Sequence, residues 1–181
     1  MPLFAPVSRR ALVLLLVASV LSLLPSAAEA RRSTPPRVEL RAAGQSQPGG
    51  LNFAEWTSGA GPGYCVTYDA DGPGQYPEPL HVGAGARVAH FVFKRRQRPR
   101  TVRITAWHAV DDRGYPVGDG EQLDYELRAR RFSDGRIHAW VASFDVQPPP
   151  DYYLDMYARW RDSRRCGGPR HMLRTYHLSA S

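Results

Sequence analysis

The stretch FDVQPPPDYYLDMYARW, residues 144–160, joins two alternating runs across a triple proline. Before the prolines, RIHAWVASFDV (136–146) switches between apolar and polar residues. After them, YYLDMYARWR (152–161) does the same: Leu154, Met156, Ala158 and Trp160 share one parity, and Tyr153, Asp155, Tyr157 and Arg159 the other. A period of two puts successive side chains on opposite faces and argues for half-buried strands rather than a helix. Pro148–Pro150 have no N–H for a ladder, so they mark the corner between two strands.

The same pattern extends outward from this corner. Alternating runs occur at 86–93, 101–109, 122–130 and 171–178. Val102, Ile104 and Ala106 oppose Arg103 and Thr105, and Leu123, Tyr125, Leu127 and Ala129 oppose Asp124, Glu126 and Arg128. Turn-rich segments separate the runs: RRQRP, DDRGYPVGDGE, SDG and DSRRCGGP. No sustained helical period follows residue 30. Six or seven strands at this spacing predict an all-β antiparallel sandwich. Tyr64–Tyr68 is a further strand candidate. Residues 31–60, polar and bearing Pro and Gly, read as a flexible N-terminal arm in which Val38 and Leu40 form a short edge strand. The sandwich domain is then expected at 61–181, with its regular core at about 85–178.

The first thirty residues read differently. Arg9 and Arg10 precede an apolar run from Ala11 to Leu24, and Ala28-Glu29-Ala30 is an A-x-A cleavage signal. The run is shorter than the ~20 residues of a bilayer span, which predicts a cleaved signal peptide at 1–30 and no stable membrane insertion after cleavage. Ser8-Arg9-Arg10 also resembles a twin-arginine signal, although a run so rich in leucine fits ordinary unfolded export better. The expected location is secreted, extracellular or periplasmic. In such a compartment the two cysteines, Cys65 and Cys166, have one possible pairing. Closing that loop of roughly 100 residues stabilises by about 4–5 kcal/mol in the chain-entropy model.

Val146, Pro148 and Tyr152, followed by Leu154, Met156, Ala158 and Trp160, resemble the corner between the E and F strands of fibronectin type III and related immunoglobulin-like domains. The resemblance covers residues 85–178. It implies that Tyr152 is a tyrosine corner, its hydroxyl bonding back to the upstream backbone. It also implies that the six runs follow the order A, B, C, E, F, G, with 122–130 beside 152–161. Two features depart from the family. Trp107 lies in the polar parity, so the second strand has no inward tryptophan. Cys65 precedes the matched region, so the bridge would tie an N-terminal extension to the last loop.

The chain carries a formal net charge of +7, and Lys94 is its one lysine. Candidate chemistry is sparse. The six histidines (81, 90, 108, 138, 171 and 177) form no H-E-x-x-H, and no G-x-S-x-G is present. Asp69-Ala70-Asp71-Gly72 resembles the start of a calcium loop but lacks its remaining ligands. Asp111, Asp112, Asp119 and Glu121 crowd one loop, where turn formation is the ordinary role of aspartate. No catalytic residue, metal or cofactor is expected.

The basic residues give the candidate surface. With 122–130 beside 152–161, Arg128 and Arg130 flank Arg159 and Arg161, with Tyr153 and Tyr157 interleaved, in a stripe suited to a polyanion. Asp124, Glu126 and Asp155 share that face and would pair with the arginines across strands. The loop Lys94–Arg100 and the group Arg164–Arg165 are expected at opposite ends of the sandwich. The resulting expectation is a secreted, non-catalytic binding or adhesion module contacting extracellular protein or an acidic cell-envelope polymer, with nucleic acid disfavoured. The alternatives are a small secreted enzyme or inhibitor using residues 111–121, or a structural accessory protein without a ligand.

Overall fold

The computed structural model describes residues 34–61, 64–72, 75–83, 85–146 and 151–180. The expected signal peptide lies outside these residues, as do Pro148–Pro150 of the corner. Every regular element among the described residues is a strand: β1 (Val38–Ala42), β2 (Gln45–Pro48), β3 (Gly50–Gly61), β4 (Tyr64–Asp71), β5 (Leu80–Val82), β6 (Val88–Phe93), β7 (Thr101–Trp107), β8 (Glu121–Gln122), β9 (Glu126–Arg131), β10 (Ile137–Asp145), β11 (Asp151–Arg159) and β12 (Arg170–Ala180). They form two sheets. The first has the order β2-β1-β6-β10-β9. The second has the order β4-β3-β12-β11-β7-β8, with β5 added in parallel beside β12.

Alternation decides which side of each strand is buried. In β11, Tyr152, Leu154, Met156 and Ala158 are buried while Tyr153, Asp155 and Tyr157 face outward. β7 buries Val102, Ile104 and Ala106. Between the sheets, Phe91, Phe93 and Phe144 from the first meet Trp56, Leu154, Trp160 and Tyr176 from the second. Trp160 contacts Trp56 and Phe93 edge to face, at 5.2 and 5.9 Å. Tyr176 crosses the gap. Its ring packs 4.7 Å from Phe91, and its hydroxyl donates to the carbonyl of Val38 at 3.2 Å. A tyrosine can thus bury its ring and still satisfy its hydroxyl.

Five expectations need correction. Residues 38–60 are no flexible arm: they form β1, β2 and most of β3, and they bury Val38, Leu40, Ala42, Ala54 and Trp56 in the core. β1 is also no edge, since it lies between β2 and β6. Glycines in this segment serve the β1–β2 turn and close contacts between strands. Gly49, for example, sits where an added Cβ would lie 2.3 Å from the Tyr176 ring.

The run 122–130 is not one strand. β8 pairs with β7 in the second sheet, and after Leu123–Tyr125 the chain joins the first sheet as β9 beside β10. Nor does 122–130 lie next to 152–161, because β11 has β7 and β12 as its neighbours.

The Asp69–Asp71 segment is strand rather than loop, with Asp69 opposite Glu55 and Asp71 opposite Phe53. Cys65 on β4 is bonded to Cys166 in the β11–β12 connection, with Cα atoms 5.8 Å apart.

Candidate functional site

The sheet topology separates the residues expected to form the basic stripe. Arg128 and Arg130 stand on β9 in the first sheet, while Tyr153, Tyr157 and Arg159 stand on β11 in the second. Arg128 pairs with Glu126 of its own strand at 2.5 Å. Tyr153 is covered, stacked 4.3 Å from His177 and meeting Tyr76 edge to face at 5.1 Å. Tyr157 lies under Arg103, whose guanidinium carbon is 5.9 Å from its ring. Tyr152 is buried at the start of β11, its ring 5.2 Å from His108. Asp111 serves as a turn aspartate: its Oδ1 accepts the backbone N–H groups of Arg113 and Tyr115.

Arg159 and Arg161 lead to the site that the structure does assemble. The β6–β7 loop (94–100) and the β11–β12 loop (160–169) lie at the same end of the sandwich, contrary to expectation, and are tied to each other. The Arg100 N–H donates to the Arg159 carbonyl at 2.7 Å, and the buried Trp160 donates its indole N–H to the Gln97 carbonyl at 3.1 Å. Arg170, at the start of β12, donates through Nε to the Thr57 carbonyl at 2.7 Å and through Nη1 to Gln97 Oε1 at 3.4 Å. The disulfide then holds the loop containing Arg164 and Arg165 against the β3–β4 hairpin. Within that loop Ser163 accepts the Cys166 N–H, and Gly167 takes a positive φ of 67°, which glycine adopts without strain.

Between the two loops is an open cleft of about 860 Å³, into which Arg98, Arg100, Arg161, Arg164, Arg165 and Arg170 converge. Among the described residues, the one acidic member of its lining is Asp162, which Arg159 engages at 3.6 Å. Arg98 also lies over the ring of Trp140, 5.4 Å from its centroid.

A second cleft, about 970 Å³, adjoins the first and shares Gly59, Gln97 and Arg170 with it. The guanidinium carbons of Arg95 and Arg170 stand 4.4 and 5.5 Å from the Trp56 ring centroid. Burial, and then the neighbouring Arg170, pushes the Arg95 guanidinium down to about 10. Burial lowers Arg170 as well, and Asp162 opposes that shift. Both directions describe positive charges partly stripped of water, and at Arg95 a second cation adds to the effect, a setting in which an anion is favoured.

Among the described residues no group of three His, Cys, Asp or Glu side chains is placed to hold a metal ion. Trp56, Ser58 and Arg170 carry no mark in the sequence, and Gln97 is marked only as a member of the Lys94–Arg100 loop. Trp56 and Ser58 fell in the supposed arm, and Arg170 in a turn-rich segment. In comparisons with protein-family models, with characterised proteins and with solved structures, the chain matches none.

Proposed function

We propose that the protein is an exported, non-catalytic binding module built on an immunoglobulin-like sandwich. The strand order supports this class: β1, β6, β10 and β9 take the places of A, B, E and D, and β7, β11 and β12 those of C, F and G. The lettering then begins one strand earlier than the sequence suggested, at Val38. The apolar N-terminal run and the A-x-A signal support export, and the Cys65–Cys166 bridge accords with an oxidising compartment.

Within that class, the reading is a receptor for an acidic polymer of the cell surface or its surroundings, held in the basic cleft. One observation carries it: six arginines from two loops and a strand end converge on one cleft containing a single, already engaged carboxylate. In the proposed lettering these are the B–C and F–G loops, which in variable domains of this fold form a recognition surface. A polyanion would neutralise the cluster and release its counterions, so binding weakens steeply with salt. Chromatography of the oxidised protein on immobilised heparin tests this. Retention at low salt with release on a salt gradient is expected, and flow-through at low salt overturns it.

A further inference from the structure

We infer that the second cleft contains a discrete seat for one compact oxyanion, a phosphate, sulfate or carboxylate group, bounded by Ser58, Arg95 and Arg170. The inference rests on the polyanion reading and places one anionic group of the polymer at a defined point.

Ser58 is 3 % exposed and lines the cleft, yet its Oγ has no hydrogen-bond partner among the described residues. The Trp56 indole Nε1, in a fully buried side chain two residues away on the same strand, also has none. An unsatisfied buried polar atom costs on the order of 1–3 kcal/mol, so two in one place call for an explanation. Above them stand Arg95 and Arg170. Arg170 spends Nε and Nη1 on Thr57 and Gln97 and keeps its second terminal nitrogen without a partner among the described residues. Among the described residues no carboxylate lines this cleft, although three further cationic side chains do, Arg37, Lys94 and Arg96. Arg95 already donates to the Thr34 carbonyl, and Lys94 pairs with Glu39. Of the groups bounding the seat, those without a partner among the described residues are therefore the Ser58 hydroxyl and one Arg170 nitrogen. Both can donate, and an electron-rich acceptor carrying negative charge would complete them. Phe132, 49 % exposed and packed 4.5 Å from His138, adds an apolar wall for whatever carries that anion.

The test titrates the full oxidised chain with inorganic phosphate, sodium sulfate and sodium acetate at constant ionic strength. The readouts are calorimetry and tryptophan fluorescence, since Arg95 and Arg170 of the seat lie against the Trp56 ring. Saturable binding of at least one oxyanion is expected, and the tightest of the three identifies the group the polymer carries.

Ser58→Ala should weaken that binding roughly tenfold, the loss expected for a hydrogen bond to a charged group. Its melting temperature should be unchanged or higher, because an unsatisfied hydroxyl is removed. Arg170→Gln should weaken binding further, with circular dichroism confirming that the variant folds. No saturable binding to the wild-type chain overturns the seat. So does a Ser58→Ala protein that is more stable but binds with unaltered affinity. Heparin retention without oxyanion binding would leave the polymer reading standing and refute the seat. Oxyanion binding with heparin flow-through would do the reverse.

Discussion

Tyr76 donates its hydroxyl proton to Oδ1 of Asp155 at 2.8 Å, laying a residue of the β4–β5 connection across the outward face of the second sheet. Asp155 Oδ2 accepts the indole N–H of Trp107 at 3.3 Å, and Tyr153 packs against Tyr76 beside it. The carboxyl is thereby taken out of water. Burial raises its pKa, and the two hydrogen bonds offset the shift only in part.

The folded state therefore holds the Asp155 proton to higher pH than the unfolded chain does. Its favourable contribution is complete below the unfolded value and is lost as pH rises through the folded one. Asp155→Asn keeps both contacts, with Oδ1 toward Trp107 and the amide donating to the Tyr76 oxygen. The variant should melt on the order of 2–4 °C above wild type at pH 7. That gain should vanish near pH 3. A variant that melts lower than wild type at pH 7 contradicts the argument.

Tyr176→Phe should cost about 1 kcal/mol in urea unfolding, the typical net value of one internal hydrogen bond. The loss falls on the contact that joins the two sheets, Tyr176 to the Val38 carbonyl. An unchanged midpoint would mean that the bond contributes nothing.

Trp160→Ala should destabilise by about 3–5 kcal/mol, as expected for a large aromatic removed from a close-packed core. Trp160 also holds the 94–100 loop through its indole N–H. Heparin retention should fall in the same variant under conditions where it remains folded.

Arg164→Glu with Arg165→Glu should move elution from heparin to lower salt, with thermal stability unchanged because both side chains are exposed. The control pair Arg128→Glu and Arg130→Glu, on β9 of the other sheet, should elute close to wild type. Equal shifts from the two pairs would point to overall charge rather than to the cleft.

What the sequence disclosed followed the reach of each signal. Alternation is local, so the inward sets Val102–Ile104–Ala106 and Leu154–Met156 could be read directly. The single cysteine pairing followed from the count alone. Pairing between strands is not local. Nothing near residues 122–130 says that the chain changes sheets between Gln122 and Glu126, and the alternation runs straight through. The basic site was misplaced for the same reason. Reading Val38–Ala42 as part of an arm letters the runs 86–93, 101–109 and 122–130 one place early, leaves the last three unchanged, and so puts the two arginine loops at opposite ends. The polar composition of residues 43–50 concealed a segment whose flanks are core.

The Cys65–Cys166 bridge spans 101 positions and encloses β5 through β11 in a covalent ring. Outside the ring are β3 and β12, which pair with each other and close the sheet that the ring leaves open. A single cut in the exposed 111–120 loop would therefore leave one covalent molecule, its two pieces parting only after reduction. The bridge thus turns a nick in this exposed loop into damage that the covalent molecule survives whole.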